Sequence, residues 1–301
     1  MITIVFGRNA RMIEFFADVL SFRFLQYALL AGLLASISGG IVGSYVTVRR
    51  ITYMAGAIAH CTLGGMGAAR YFQSMYGLEW CTPLLGATIS ALLAAFIIAT
   101  VTRSGQQRMD TVLGAVWALG MATGLFFISK TPGYSENLMS YLFGDILMVT
   151  GSDLWLMGLL DIAVLAGVFL FYNKILLVCF DSEFASLRGI KSNRYQMVML
   201  CVTALTVVLL VQVVGIVLVI ALLTLPAATA AHHSRRLWQM MVISVALSIF
   251  CTIGGIALSY KPDLPAGATI IALAGVVYIL SLLSQSLLRS VSKNKNPRAG
   301  K

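Results

Sequence analysis

The chain has 301 residues, of which 59% are apolar and 11% charged, with a mean hydropathy of +0.91. A soluble globular domain carries roughly 45–50% apolar and about 25% charged residues, so a water-soluble enzyme or binding module is excluded. The net charge of +10 does not mark a nucleic-acid surface, because the basic residues form no single patch.

In chain order, Ala10 to Arg23 mixes Ile13, Phe15, Phe16, Val19 and Leu20 with charges, which predicts a short interfacial helix and makes residues 1–23 an N-terminal interfacial segment. No apolar run before Glu14 and Asp18 is long enough for a cleavable signal. A bilayer crossing needs about 20 mostly apolar residues. Such stretches are read at 24–48, 51–72, 81–102, 111–130, 153–173, 195–212, 213–232, 238–260 and 265–288.

The first of these carries Gly32, Ala35, Ser36, Gly39, Gly40 and Gly43, so other backbones can approach it closely and it is placed inside the bundle. The second contains Gly56, His60, Gly64, Gly65 and Gly67, a composition that allows either an unbroken span or a broken one and leaves the number of crossings at eight or nine. Nine would put the N-terminus outside. Residues 131–150 are too short and too polar to span, yet Leu138, Leu142, Phe143, Ile146 and Leu147 make them half apolar, as in a re-entrant or surface hairpin. The run 195–232 is too long for one span, and Gly215 is where it should reverse. The fold class is all-α: a polytopic transmembrane helical bundle of about 8–9 membrane segments, some broken or re-entrant, over residues 24–288, followed by a basic cytoplasmic tail, 289–301.

Fifteen of the 21 Lys and Arg residues fall in five connections: Arg49 and Arg50; Arg103 and Arg108; Lys174, Arg188, Lys191 and Arg194; Arg235 and Arg236; and the tail. The alternate connections carry only Arg70, Lys130 and Lys261. By the positive-inside rule the five basic connections face the cytoplasm. Cys61, Cys81, Cys179, Cys201 and Cys251 are scattered without a C-x-x-C pair and imply no disulfide framework.

No G-x-x-x-x-G-K-[ST] phosphate loop is present, nor a metalloprotease, EF-hand or Ser/His/Asp signature, so the chain is not read as an enzyme and any pumping energy must come from elsewhere. His60 stands out because an imidazole within a span is costly unless it faces a cavity or partner, and imidazole suits zinc and related metals. The competing reading is a packed side chain bonded to a neighbouring carbonyl. Asp145, in the hairpin, could offer a hard oxygen ligand or cap a half-helix. Asp161 stands mid-span, where a carboxylate must pair or protonate, and it could equally lock two helices together. His232 and His233 beside Arg235 and Arg236 read as a solvated helix end. Residues 180–190 predict a short amphipathic helix started by Asp181 or Ser182 and stopped by Gly189, with Phe184 and Leu187 on one side. Such a helix could dock in a partner's groove or lie on the membrane as a connector.

Three passages together resemble the zinc/manganese-type membrane permeases of ABC importers. They are the basic pair Arg49-Arg50 leading to His60, the D-x-E-x-A-x-x-x-G loop Asp181-Glu183-Ala185-Gly189, and the apolar segment from Gly215 to Pro226-Ala227-Ala228. The likeness runs from about residue 24 to about residue 288. It implies a divalent metal cargo, zinc or manganese, and no permanently bound cofactor. It also implies a homodimer around a central pathway past His60 and Asp145, cytoplasmic ATP-binding subunits docked on the loop of Asp181, Glu183, Ala185 and Gly189, and an extracytoplasmic metal-binding protein. Many members carry an acidic residue four positions before the histidine, where this chain has Gly56. Two other readings compete with the importer: an ATP-independent secondary transporter or channel with Asp161 and His60 as a proton relay, and a membrane scaffold.

Overall fold

A computed structural model describes residues 18–104, 108–131, 146–260 and 264–295, together with positions 142, 144 and 262. The described residues form ten α-helices, a short 3-10 turn and no strand. They are α1 (Arg23–Val48), α2 (Thr52–Tyr76), α3 (Pro83–Ser104), α4 (Met109–Lys130), α5 (Gly151–Phe180), α6 (Ser182–Leu187), α7 (Ser192–Val214), α8 (Ile216–His233), α9 (Leu237–Tyr260) and α10 (Ala266–Lys295). All but α2 and the six-residue α6 are long and apolar enough to cross a membrane, which gives eight candidate spans. Most of the predicted interfacial segment and the end of the basic tail lie outside the described residues.

Of the two readings of the second segment the unbroken one holds, because α2 is one continuous helix of 25 residues. At roughly 1.5 Å per residue it is long enough for a hydrocarbon core of about 30 Å. Its glycines serve contact instead of interruption. A Cβ added to Gly64 would meet the Gly120 carbonyl oxygen at 2.8 Å, and one on Gly67 would meet that of Gly124 at 2.7 Å. On another side of α2, Gly65 and Gly86 oppose each other backbone to backbone. Small residues thus set α2 tightly between α3 and α4. Low side-chain hydropathy and extensive burial are two results of one composition.

Helix α1 lies in the interior of the bundle and packs on α9, α8 and α5. Close approach explains its glycine series: at Gly40 an added Cβ would lie 2.8 Å from the Val245 backbone, and at Gly43 it would run into the Leu223 carbonyl. The two halves, α2–α3–α4 and α1–α8–α9–α10, are joined by α7, which packs on α3, α2, α5 and α1. As the sequence predicts, the long apolar run divides at Gly215, whose φ of 81° ends α7 and starts α8 without an intervening loop.

Helix α5 exceeds its predicted span at both ends. Thr150 and Asp153 form a reciprocal capping box that begins it earlier, and it continues past Asn173 and Lys174 to Phe180 because a lysine stem can lie along apolar surface with its charge outward. Of the predicted hairpin, the 3-10 turn Ile146–Met148 packs on α1 with Ile146 buried. Gly144, at φ 65°, sits against the α7–α8 joint, where an added Cβ would be 2.6 Å from the Val214 carbonyl oxygen. Those contacts are with protein; the rest of the predicted hairpin, 132–141, 143 and 145, lies outside the described residues.

Candidate translocation and coupling sites

His60 lies midway along α2 and is buried, with 7% of its surface exposed. Its ring stacks on Trp117 of α4 with centroids 4.1 Å apart and planes 19° from parallel. Tyr53, two turns earlier on α2, meets the same indole at 5.9 Å. The stack holds the imidazole face, yet Nδ1 has no hydrogen-bond partner. Among the described residues Nδ1 therefore makes no bond to a neighbouring carbonyl, while the stack on Trp117 gives the packed reading its contact. One turn before His60, Gly56 lies beside Trp117, which among the described residues is the neighbour an added Cβ would touch, at 3.5 Å. Cys61 points elsewhere, as its position on the helix requires, with its thiol 3.8 Å from the Ser90 carbonyl oxygen.

Asp161, on α5, is 4% exposed and beside Ser38 of α1, but neither carboxylate oxygen meets a hydrogen-bond partner within ordinary limits. Among the described residues it makes no ion pair, and its polar neighbour on another helix is Ser38. The structure does not bring His60 and Asp161 into one site: α2 lies with α3 and α4, whereas α5 lies with α1 and α7. No group of three His, Cys, Asp or Glu side chains assembles among the described residues. Asp145 lies outside the described residues. His233 forms a 3.1 Å contact from Nδ1 to the Thr229 carbonyl oxygen at the end of α8, consistent with a capped helix end.

The loop between α5 and α7 has the geometry expected from its sequence. Asp181 caps α6, its Oδ1 accepting from the backbone N–H of Glu183 at 3.0 Å and of Phe184 at 2.8 Å. Gly189 closes the helix at φ 78°, donating its N–H to the Ser186 carbonyl. Ser192 Oγ donates to the Ser182 carbonyl oxygen at 2.8 Å and ties α6 to the start of α7. Ala185 is fully buried in this turn, while Glu183 is exposed and Leu187 is 86% exposed. Phe180 and Phe184 are also exposed, so a braced helix presents an apolar edge. Arg188 lies over the Phe184 ring at 5.0 Å.

Sequence reasoning missed three partners. Trp117 and Ser38 stand on helices far away in sequence, and nothing local marks them as neighbours of His60 and Asp161. By sequence Arg49 is a topological charge and half of a basic pair. It also donates from Nη1 to the Val178 carbonyl oxygen at 2.8 Å, holding the α1–α2 corner to the last turn of α5. Basic groups favour such carbonyls at helix C-termini.

The profile of the ABC 3 transport family matches residues 21–285. An uncharacterized membrane protein of Synechocystis is 40% identical over 276 residues, covering 91% of this chain and 95% of that protein. A manganese transport system membrane protein, MntC, of Halalkalibacterium halodurans is 31% identical and covers 89% of each chain. Among solved structures, PsaBC from Streptococcus pneumoniae in complex with Fab aligns with a TM-score of 0.79 at 28% identity, over 90% of this chain and 95% of that one.

Proposed function

The chain belongs to the ABC 3 transport family, and on that premise we propose that it is the permease subunit of an ATP-driven importer for a divalent metal, with manganese the first cargo to test and zinc the second. It works as a homodimer, receives the ion from an extracytoplasmic binding protein, and is driven by separate cytoplasmic ATPase subunits. The observation that carries this reading is the braced α6. A helix capped by Asp181, closed at Gly189 and tied to α7 by Ser192 is stiff enough to transmit a push, and its exposed apolar edge offers a partner something to hold.

Manganese is favoured by the names of relatives such as the H. halodurans protein. His60 lines the pathway in this reading, with its unpartnered nitrogen available to a passing ion. An imidazole without a neighbouring carboxylate is a weak ligand for manganese, which prefers oxygen. Weak coordination suits passage, since a site that holds an ion tightly releases it slowly. ATP binding in the partner subunits pushes α6, and the push reaches α5 and α7 directly through the chain.

The test is the ATPase activity of the reconstituted complex with loaded binding protein. Glu183 is exposed and only its backbone N–H is bonded in the α6 cap, so Glu183→Ala leaves insertion intact. The expected result is that stimulation of ATPase by the loaded binding protein falls at least tenfold, with the subunits still co-purifying or releasing one another at α6. Wild-type stimulation together with wild-type uptake in this variant would remove α6 from the coupling path.

A further inference from the structure

We propose that the cytoplasmic ends of α5 and α7 bind an anionic phospholipid of the inner leaflet, its headgroup on Lys174, Lys191 and Arg194 and an acyl chain in the apolar groove that continues between the two helices. The inference rests on the cytoplasmic orientation of this loop adopted above. A cavity of about 510 Å³ is lined by the three cations together with apolar and aromatic residues including Phe171, Ile190 and Tyr195. Among the described residues no carboxylate lines it, nor the adjoining cavity around Ser192 and Asn193.

The positions of the cations are unfavourable for the helix itself. Lys191 is the N-cap of α7 and Arg194 lies in its first turn, which contains no acidic residue. The macrodipole places positive charge at that end, so cations there oppose it and an anion is favoured. A bound phosphate group would satisfy the side chains and the helix end together.

The second half of the ligand is indicated by a neighbouring cavity of about 230 Å³. It shares Phe171, Ile175, Val198 and Met199 with the cationic one and extends along α5 and α7 to Val164 and Val202. Gly167 keeps it open, since an added Cβ there would meet no atom within 4 Å. A small soluble anion has no use for this groove. A molecule with a negative head and a long apolar chain fits both parts, and basic pockets between helices on the cytoplasmic side are recognised sites for acidic headgroups. The cationic cavity also borders Gly189 and Ile190, where α6 returns to α7, so an occupied site braces the coupling turn.

The test uses the full chain in detergent micelles holding equal amounts of phosphatidylglycerol and phosphatidylcholine, with retained lipid read by native mass spectrometry. Wild type should keep phosphatidylglycerol in preference. Each juxtamembrane cation contributes roughly fivefold, so Lys174→Gln/Lys191→Gln/Arg194→Gln should lower that retention by on the order of a hundredfold. Arg235→Gln/Arg236→Gln, also cytoplasmic, should leave it unchanged. Gly167→Leu, which fills the groove and keeps every cation, should weaken phosphatidylglycerol and carries the test should the triple variant fail to insert. Equal retention of the two lipids by wild type, undiminished preference in the variants, or displacement of the lipid by free glycerol phosphate at similar concentration would overturn the proposal. No metal or ATP enters this measurement, so its failure is distinct from failure of the importer reading.

Discussion

His60 is held by its ring face against Trp117, while Nδ1 has no partner. Stacking of this kind is worth about 0.5–1.5 kcal/mol, so His60→Ala should shift the melting temperature of the purified chain by only a few degrees. Metal uptake by the assembled transporter should nevertheless fall at least tenfold. A large loss of stability with retained uptake per folded molecule would return His60 to packing. Gly56 adds a second residue-scale prediction. A Cβ at position 56 meets the Trp117 ring at 3.5 Å, an ordinary contact distance, so Gly56→Asp should bring a carboxylate one turn from the imidazole and tighten metal binding by the folded chain, measured by isothermal titration. Unchanged binding would show that the two positions do not face one ion.

Asp161 gives a third. Because no cation pairs with its carboxylate among the described residues, and an amide can still meet Ser38, Asp161→Asn removes no ion pair and should leave thermal stability within about 1 kcal/mol or raise it. A loss of several kcal/mol would mean that Asp161 joins helices after all. His60 and Asp161 could both be found from sequence, since an ionisable side chain in an apolar span is conspicuous wherever it lies. Their surroundings could not. Trp117 and Ser38 become neighbours only through the packing of α4 on α2 and of α1 on α5, and no local pattern encodes that.

At the scale of elements, α6 shows what a sequence states fully. Its start is chemical, in the Asp181 carboxylate, and its stop is conformational, in the positive φ of Gly189, and both signals are local. Glycine in α2 is ambiguous by comparison. The same residues that weaken an isolated helix allow close backbone approach in a packed one, and only the neighbours decide which effect prevails. In α2 the neighbouring glycines of α3 and α4 decide it, and the helix is unbroken. Gly65→Val should therefore destabilise the chain by at least about 1–3 kcal/mol through overpacking against Gly86. Gly158→Val on α5, where an added Cβ meets nothing within 4 Å, should be near neutral in the same melting experiment. Similar losses at both sites would mean that helix content and not contact governs α2.

Across the whole molecule, hydropathy and alternating charge are sufficient for a polytopic bundle, because the bilayer leaves helices as the economical way to satisfy the backbone. They do not specify that α1 becomes the interior helix or that α7 joins the two halves. Those features depend on which small residues face one another, and α1 advertised its role only through the density of its glycines. The importer reading makes one demand that separates it from any transporter working alone: the chain must be inactive without its partners. The most direct test is uptake of radioactive manganese and zinc into proteoliposomes containing this chain, with the ATPase subunits, ATP and loaded binding protein each supplied or withheld. Uptake only in the complete, ATP-supplied system, with manganese preferred, is the predicted result; uptake by the chain alone would contradict the account.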